Sequence, residues 1–299
     1  MRKLLLFLLF ASYTTWGCDL CGCSNSNSFF GLMPASNRGF LGVRYRTQSF
    51  DSHIGSSYLA SHEQFQSTEV WGRFYPVKNI QVLGFLPYNM HSQQTSTQKF
   101  QITGLGDPSF LIQYNLINSL LDTTYRELNH NLLVGGGLKL PLGQFRYDAA
   151  NPSEVANANF QLGTGSIDFT IQSTYGIRYQ AWGLNFDGQV KLTGTNPEEY
   201  KFGNRISGAT TLFYAYGKGH RITLMPYANL YAEYSTYDKS QGQVNTRTGG
   251  SMSLVGLGIE CTSRKAMFGT TIQTPIIQQL SGGEIKANNR ISAHFTFLF

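Results

Sequence analysis

The chain has 299 residues and a formal net charge of +6, from 23 Lys and Arg against 17 Asp and Glu. Only 13% of its residues are charged, about half the ~25% of ordinary soluble domains, while 21 Phe, 17 Tyr and 32 Gly are present. The basic residues form no run, which argues against nucleic acid as a partner, and no stretch after residue 17 is apolar enough to span a bilayer as a helix.

The first segment, "MRKLLLFLLFASYTTWG", places Arg2 and Lys3 ahead of an apolar run from Leu4 to Phe10 and small residues at Thr15 and Gly17. This is the pattern of a secretory signal peptide over 1–17 with cleavage before Cys18. An exported, oxidising setting follows.

Residues 18–38 open with "CDLCGCS", which crowds Cys18, Cys21 and Cys23 into six positions. Three readings stand side by side. Thiolates at this spacing can wrap a soft ion, Cu or Zn, or act in redox chemistry. Two of them can close a disulfide in a flexible tail. Cys18 can be lipidated, although Thr15 stands where a lipobox prefers an aliphatic residue. Haem attachment is excluded, because Gly22 occupies the place of the required His. The "FFGLM" insert within 24–39 is a candidate plug or docking patch on the periplasmic side.

From residue 39 onward, alternation with period 2 recurs, which is the signal of β-strands. Twelve strands are expected near 39–51, 65–77, 79–92, 102–116, 130–142, 165–179, 182–194, 201–217, 220–236, 250–263, 265–279 and 289–299. In 39–50, Leu41, Val43 and Tyr45 face one way and Arg44, Arg46 and Gln48 the other. In 166–179, Phe169, Ile171 and Ile177 oppose Asp168, Gln172 and Arg178. Short connections such as 76–79 and 262–265 alternate with long polar ones such as 142–165 and 236–250. Residues 117–130 break that rule by being long where a short turn is due. An even strand count, alternating turn lengths and low charge together predict an all-β fold: a transmembrane antiparallel up-and-down β-barrel of about 12 strands over 39–299.

The chain ends "ISAHFTFLF". On the outer face of a barrel, Phe295, Phe297 and Phe299 meet lipid and need no protein cover. A terminal Phe with alternating aromatics also resembles the signal by which Gram-negative assembly machinery recognises such barrels.

Three stretches carry a narrower resemblance: "GLGDPSFLIQYNLI" (104–117), "GGGLKLPLGQF" (135–145) and "LGTGSIDFTIQSTYG" (162–176). In this order they resemble the outer-membrane transporter family named after the meta-pathway of phenol degradation, over about 104–178. Physically they read as barrel architecture: Gly104, Gly106, Gly163 and Gly165 permit tight backbone where strands begin, and Pro141 ends a strand. The resemblance implies an outer-membrane barrel for uptake of small solutes, aromatic or hydrophobic compounds among them.

If the apolar faces meet lipid, the opposite faces line a lumen. Its charged candidates are Arg44, Arg46, Arg73, Lys139, Asp168, Asp187, Lys191, Arg205, Arg221, Glu233, Arg290 and His294, joined by amides such as Gln113, Gln172 and Asn229. Both signs are present, so the interior is either a wet channel or a barrel filled by mutually paired charges. Ser292 and His294 share a face, yet no third residue completes a catalytic arrangement. The expectation is a non-enzymatic channel in the Gram-negative outer membrane with a periplasmic N-terminus, contacting lipid, assembly machinery and small solutes. The alternative is a barrel-anchored thiol module acting through "CDLCGC".

Overall fold

A computed structural model describes residues 38–56, 60–119, 127–146, 159–217 and 221–299. The signal segment and Cys18, Cys21 and Cys23 lie outside the described residues, as does 120–126, the centre of the long connection in 117–130. The strands are β1 (Phe40–Ser52), β2 (Ser61–Val77), β3 (Ile80–Thr95), β4 (Lys99–Leu105), β5 (Ser109–Asn118), β6 (Leu128–Lys139), β7 (Asp168–Tyr179) and β8 (Trp182–Leu192). They continue as β9 (Tyr200–Lys201), β10 (Arg205–Tyr214), β11 (Ile222–Ser235), β12 (Asp238–Ser240), β13 (Gln243–Asn245), β14 (Gly250–Ser263), β15 (Ala266–Leu280) and β16 (Ile285–Leu298).

Antiparallel neighbours run β2-β1-β16-β15-β14-β11-β10-β8-β7-β6-β5-β3, and β2 pairs with β3 to close the ring. The closed barrel has twelve walls, as the alternation predicts. Both β4 and β5 pair with β3, so together they form one wall interrupted at 106–108. Pro108 cannot donate to a ladder, and the gap is stitched from both sides. The Gly106 N–H donates to Pro87 O at 2.9 Å, and the Leu140 N–H donates to Pro108 O at 2.9 Å.

Side-chain alternation sorts the two faces. Outward-pointing Ile112, Ile171, Leu257 and Phe295 are all more than half exposed, which is the apolar belt of a barrel that sits in lipid. Trp182 and Tyr214 meet edge to face at 5.0 Å near the short-turn end, where Tyr179 and Tyr216 are also exposed; Tyr234 and Tyr237 are exposed at the other. Phe297 and Phe299 are exposed beside Phe295.

Above the long-loop end, β13, β12 and β9 form a small separate sheet. Its anchor is buried Asp238, which accepts hydrogen bonds from the Tyr200 hydroxyl at 2.7 Å and the Gly203 N–H at 2.6 Å. Burial pushes the Asp238 carboxyl up to about 7, and these donors only partly oppose it.

Candidate functional site

The inward faces line a cavity open in part to solvent; its atom-free space, open solvent included, is about 1530 Å³, and the room left for water-sized centres is about 130 Å³. Towards the short-turn end it rests on an apolar layer of Phe40, Trp71, Leu83, Phe85, Leu111 and Leu298. The Arg44 guanidinium lies 5.1 Å from the Trp71 ring centroid and 5.7 Å from that of Phe85, a cation–π geometry. Towards the long-loop end, Phe65 and Phe160 meet at 6.2 Å beside His91. The charged and amide residues expected in the lumen thus lie between two aromatic layers, which the sequence reading does not include.

Between the layers, ion pairs link neighbouring strands. Arg44 pairs closely with Glu69, and Arg46 reaches the second oxygen of the same carboxylate at 3.4 Å. Lys139 lies 2.7 Å from Asp107 and 3.1 Å from Asp168, and Lys191 lies 3.1 Å from Asp168. Arg205 lies 3.5 Å from Glu233, whose carboxylate also accepts from the Tyr231 hydroxyl at 2.6 Å. Arg290 donates through Nε to Gln48 Oε1 at 2.9 Å. His294 Nε2 lies 3.6 Å from Glu260 Oε1, with the imidazole edge-on to Trp71.

Asp107 ties together the three sequence stretches that carry the family resemblance. Its Oδ1 accepts the Gly143 N–H at 2.8 Å, while Oδ2 accepts the Thr164 N–H at 2.8 Å and the Lys139 ammonium at 2.7 Å. Leu162 O accepts from Asn89 Nδ2 at 2.9 Å, and Thr164 O from Asn196 Nδ2 at 3.1 Å. These bonds draw 159–166 into the barrel, where Asn159, Phe160, Gln161 and Thr164 are buried. The sequence reading assigns Gly163 and Gly165 to the start of a strand and this connection to an outer loop. Instead, Gly163 packs against Gly143 and Asp107 with no room for a Cβ, and Gly165 holds φ +69 beside Asn196. The segment narrows the lumen.

The predicted lumen residues are distributed unequally. Arg44, Arg46, Lys139, Lys191, Glu233, Arg290 and His294 line the cavity. Asp168 is buried behind the two lysines, and Arg205 stands behind Glu233. Arg73 sits in the aromatic layer, 4.9 Å over the Phe40 ring, and donates to Arg38 O at 3.0 Å. Asp187 accepts from the Thr174 hydroxyl at 2.7 Å. Arg221 departs from the expectation: it precedes β11 and is exposed, because the strand pairs only from Ile222 onward. Cys261 is half-buried with the outward parity of Ile259.

Sequence reasoning missed Glu69 and Asp107, the carboxylates that organise the cations. Glu69 was detectable in principle, since Glu63, Glu69 and Arg73 share one parity in β2. Phe65 and Trp71 share that parity too, so the strand lacks a clean apolar face.

No protein-family model and no curated protein matches the sequence. Among solved structures, the fold is similar to the COG4313 outer membrane channel from Pseudomonas putida F1, with a TM-score of 0.68 and 12% identity over 90% of this chain and 100% of that one. It is also similar to the beta domain of the Bordetella autotransporter BrkA, with a TM-score of 0.55 and 10% identity over 88% of this chain and 100% of that one. At these identities the likeness establishes the fold, a closed barrel of the outer-membrane type.

Proposed function

We propose that the protein is a Gram-negative outer-membrane channel for passive passage of small solutes, with its long loops outside and its N-terminus in the periplasm. The observation that carries this reading is a cavity, open in part to solvent and lined by inward charged side chains, within a closed barrel whose outer face is apolar. The aromatic layers and the motifs of 104–178 support aromatic or hydrophobic compounds among the solutes. The outward Phe295, Phe297 and Phe299 act as the signal read by assembly machinery. The test is conductance of the refolded protein in a planar bilayer. Discrete steps are expected; silence from correctly folded protein would overturn the reading.

A further inference from the structure

The wall formed by β16 and β1 carries cationic charge that its neighbours do not balance. Across the lumen, Lys139 and Lys191 are matched by Asp107 and Asp168, and Arg205 is matched by Glu233. On the β16–β1 wall, Arg44 and Arg46 share the single carboxylate of Glu69. Arg290 rests on the Gln48 amide at 2.9 Å and the Tyr231 ring at 5.1 Å; it feels the charge of Glu233, the partner of Arg205, but makes no ion pair within 4.0 Å among the described residues. Among the described residues, Arg46 has only a shared carboxylate at 3.4 Å and Arg290 has no ion pair within 4.0 Å.

The two sit together. Arg290 is paired with Gln48 in the ladder and Ser292 with Arg46, so Arg46 and Arg290 are diagonal neighbours across one strand pair, and both line the cavity. The Nε–H of Arg46 is buried and has no hydrogen-bond partner among the described residues. The one side-chain hydrogen bond of Arg46 among those residues runs from Nη2 to Glu69 at 3.4 Å. The Arg46 side chain keeps 19% of its surface exposed where it lines the cavity, and the planar guanidinium fork matches a carboxylate with two parallel bonds.

We propose that Arg46 and Arg290 form a carboxylate-binding step within the lumen. The channel then passes small organic carboxylates, benzoate among them, ahead of neutral or cationic molecules of the same size. This rests on the channel reading above. Water fills the step between solutes, and binding is weak enough for release because each fork keeps a protein partner throughout.

The test uses the refolded protein in a planar bilayer under a KCl gradient, with sodium benzoate and benzyl alcohol as probes. Chloride preference over potassium of about threefold or more is expected from an unbalanced cationic constriction. Benzoate should reduce the chloride current, and benzyl alcohol at equal concentration should leave it unchanged. Arg46→Gln with Arg290→Gln should lower the preference and remove the benzoate effect. Arg46→Lys should keep the preference but weaken the benzoate effect, since the charge remains and the fork is lost. Cation preference, or equal responses to benzoate and benzyl alcohol in the unaltered protein, would overturn the proposal without any variant being needed. A folded protein that carries no current at all would instead defeat the channel reading.

Discussion

Asp107 accepts a hydrogen bond from the backbone N–H of Thr164, 57 residues further along the chain, at 2.8 Å. This bond, with those to Gly143 and Lys139, holds a loop segment inside the barrel. Asp107→Ala leaves two backbone donors unmet and one lysine short of a counter-charge. The expected loss is about 2–4 kcal/mol of stability, with a higher unit conductance because 159–166 no longer narrows the lumen. Single-channel recording beside denaturant unfolding in detergent checks both parts.

Glu69 neutralises two arginines at once and is almost fully buried. Glu69→Gln removes the carboxylate that Arg44 and Arg46 share. Breaking a buried pair in this way costs about 3–5 kcal/mol. A lower midpoint of thermal unfolding, followed by circular dichroism, is the expected result; an unchanged midpoint would show that solvent in the lumen screens these charges.

Leu257 points outward at the middle of β14 and is 65% exposed. In lipid, Leu257→Arg should destabilise the folded barrel by about 2–4 kcal/mol, the cost of a charge at the bilayer midplane. The same substitution in a water-facing sheet would cost little. Folding equilibria in phospholipid vesicles distinguish the two.

The small sheet of β9, β12 and β13 should respond to pH. Asp238 has its folded pKa raised from 3.8 to about 7 by burial, so the folded state favours the neutral carboxyl. Its contribution to stability is fully present below about pH 3.8, declines as pH rises, and is lost once pH passes about 7. Amide exchange in 199–203 and 236–248 should therefore be faster at pH 8 than at pH 5, after correction for intrinsic rates. Asp238→Asn stays neutral and should flatten that dependence.

The barrel itself was written plainly in the sequence. Strands such as 166–179 separate Phe169 and Ile171 from Asp168 and Gln172 so cleanly that both the strand and its lipid face could be read. Where the inward face also carries aromatics, as with Phe65 and Trp71 in β2, alternation fades and Glu69 went unnoticed. The inward course of 159–166 was illegible for a different reason. Asn159, Gln161 and Thr164 are the residue types of a solvated loop, and only partners far away in sequence reveal that they are buried. The charged candidates were found by parity, but parity cannot say which cation shares which carboxylate.

The pairing of β1 with β16 has a kinetic consequence. Gln48 and Arg290 are 242 residues apart, and their hydrogen bond spans the seam at which the ring shuts. Contacts this distant in sequence form late, because the entropy of closing so long a chain must be met before they contribute. The two unbalanced arginines come from opposite sides of that seam. A chain in which β1 and β16 are unpaired therefore has neither a sealed wall nor Arg46 beside Arg290, so closure of the ring and assembly of the arginine step depend on the same strand pair.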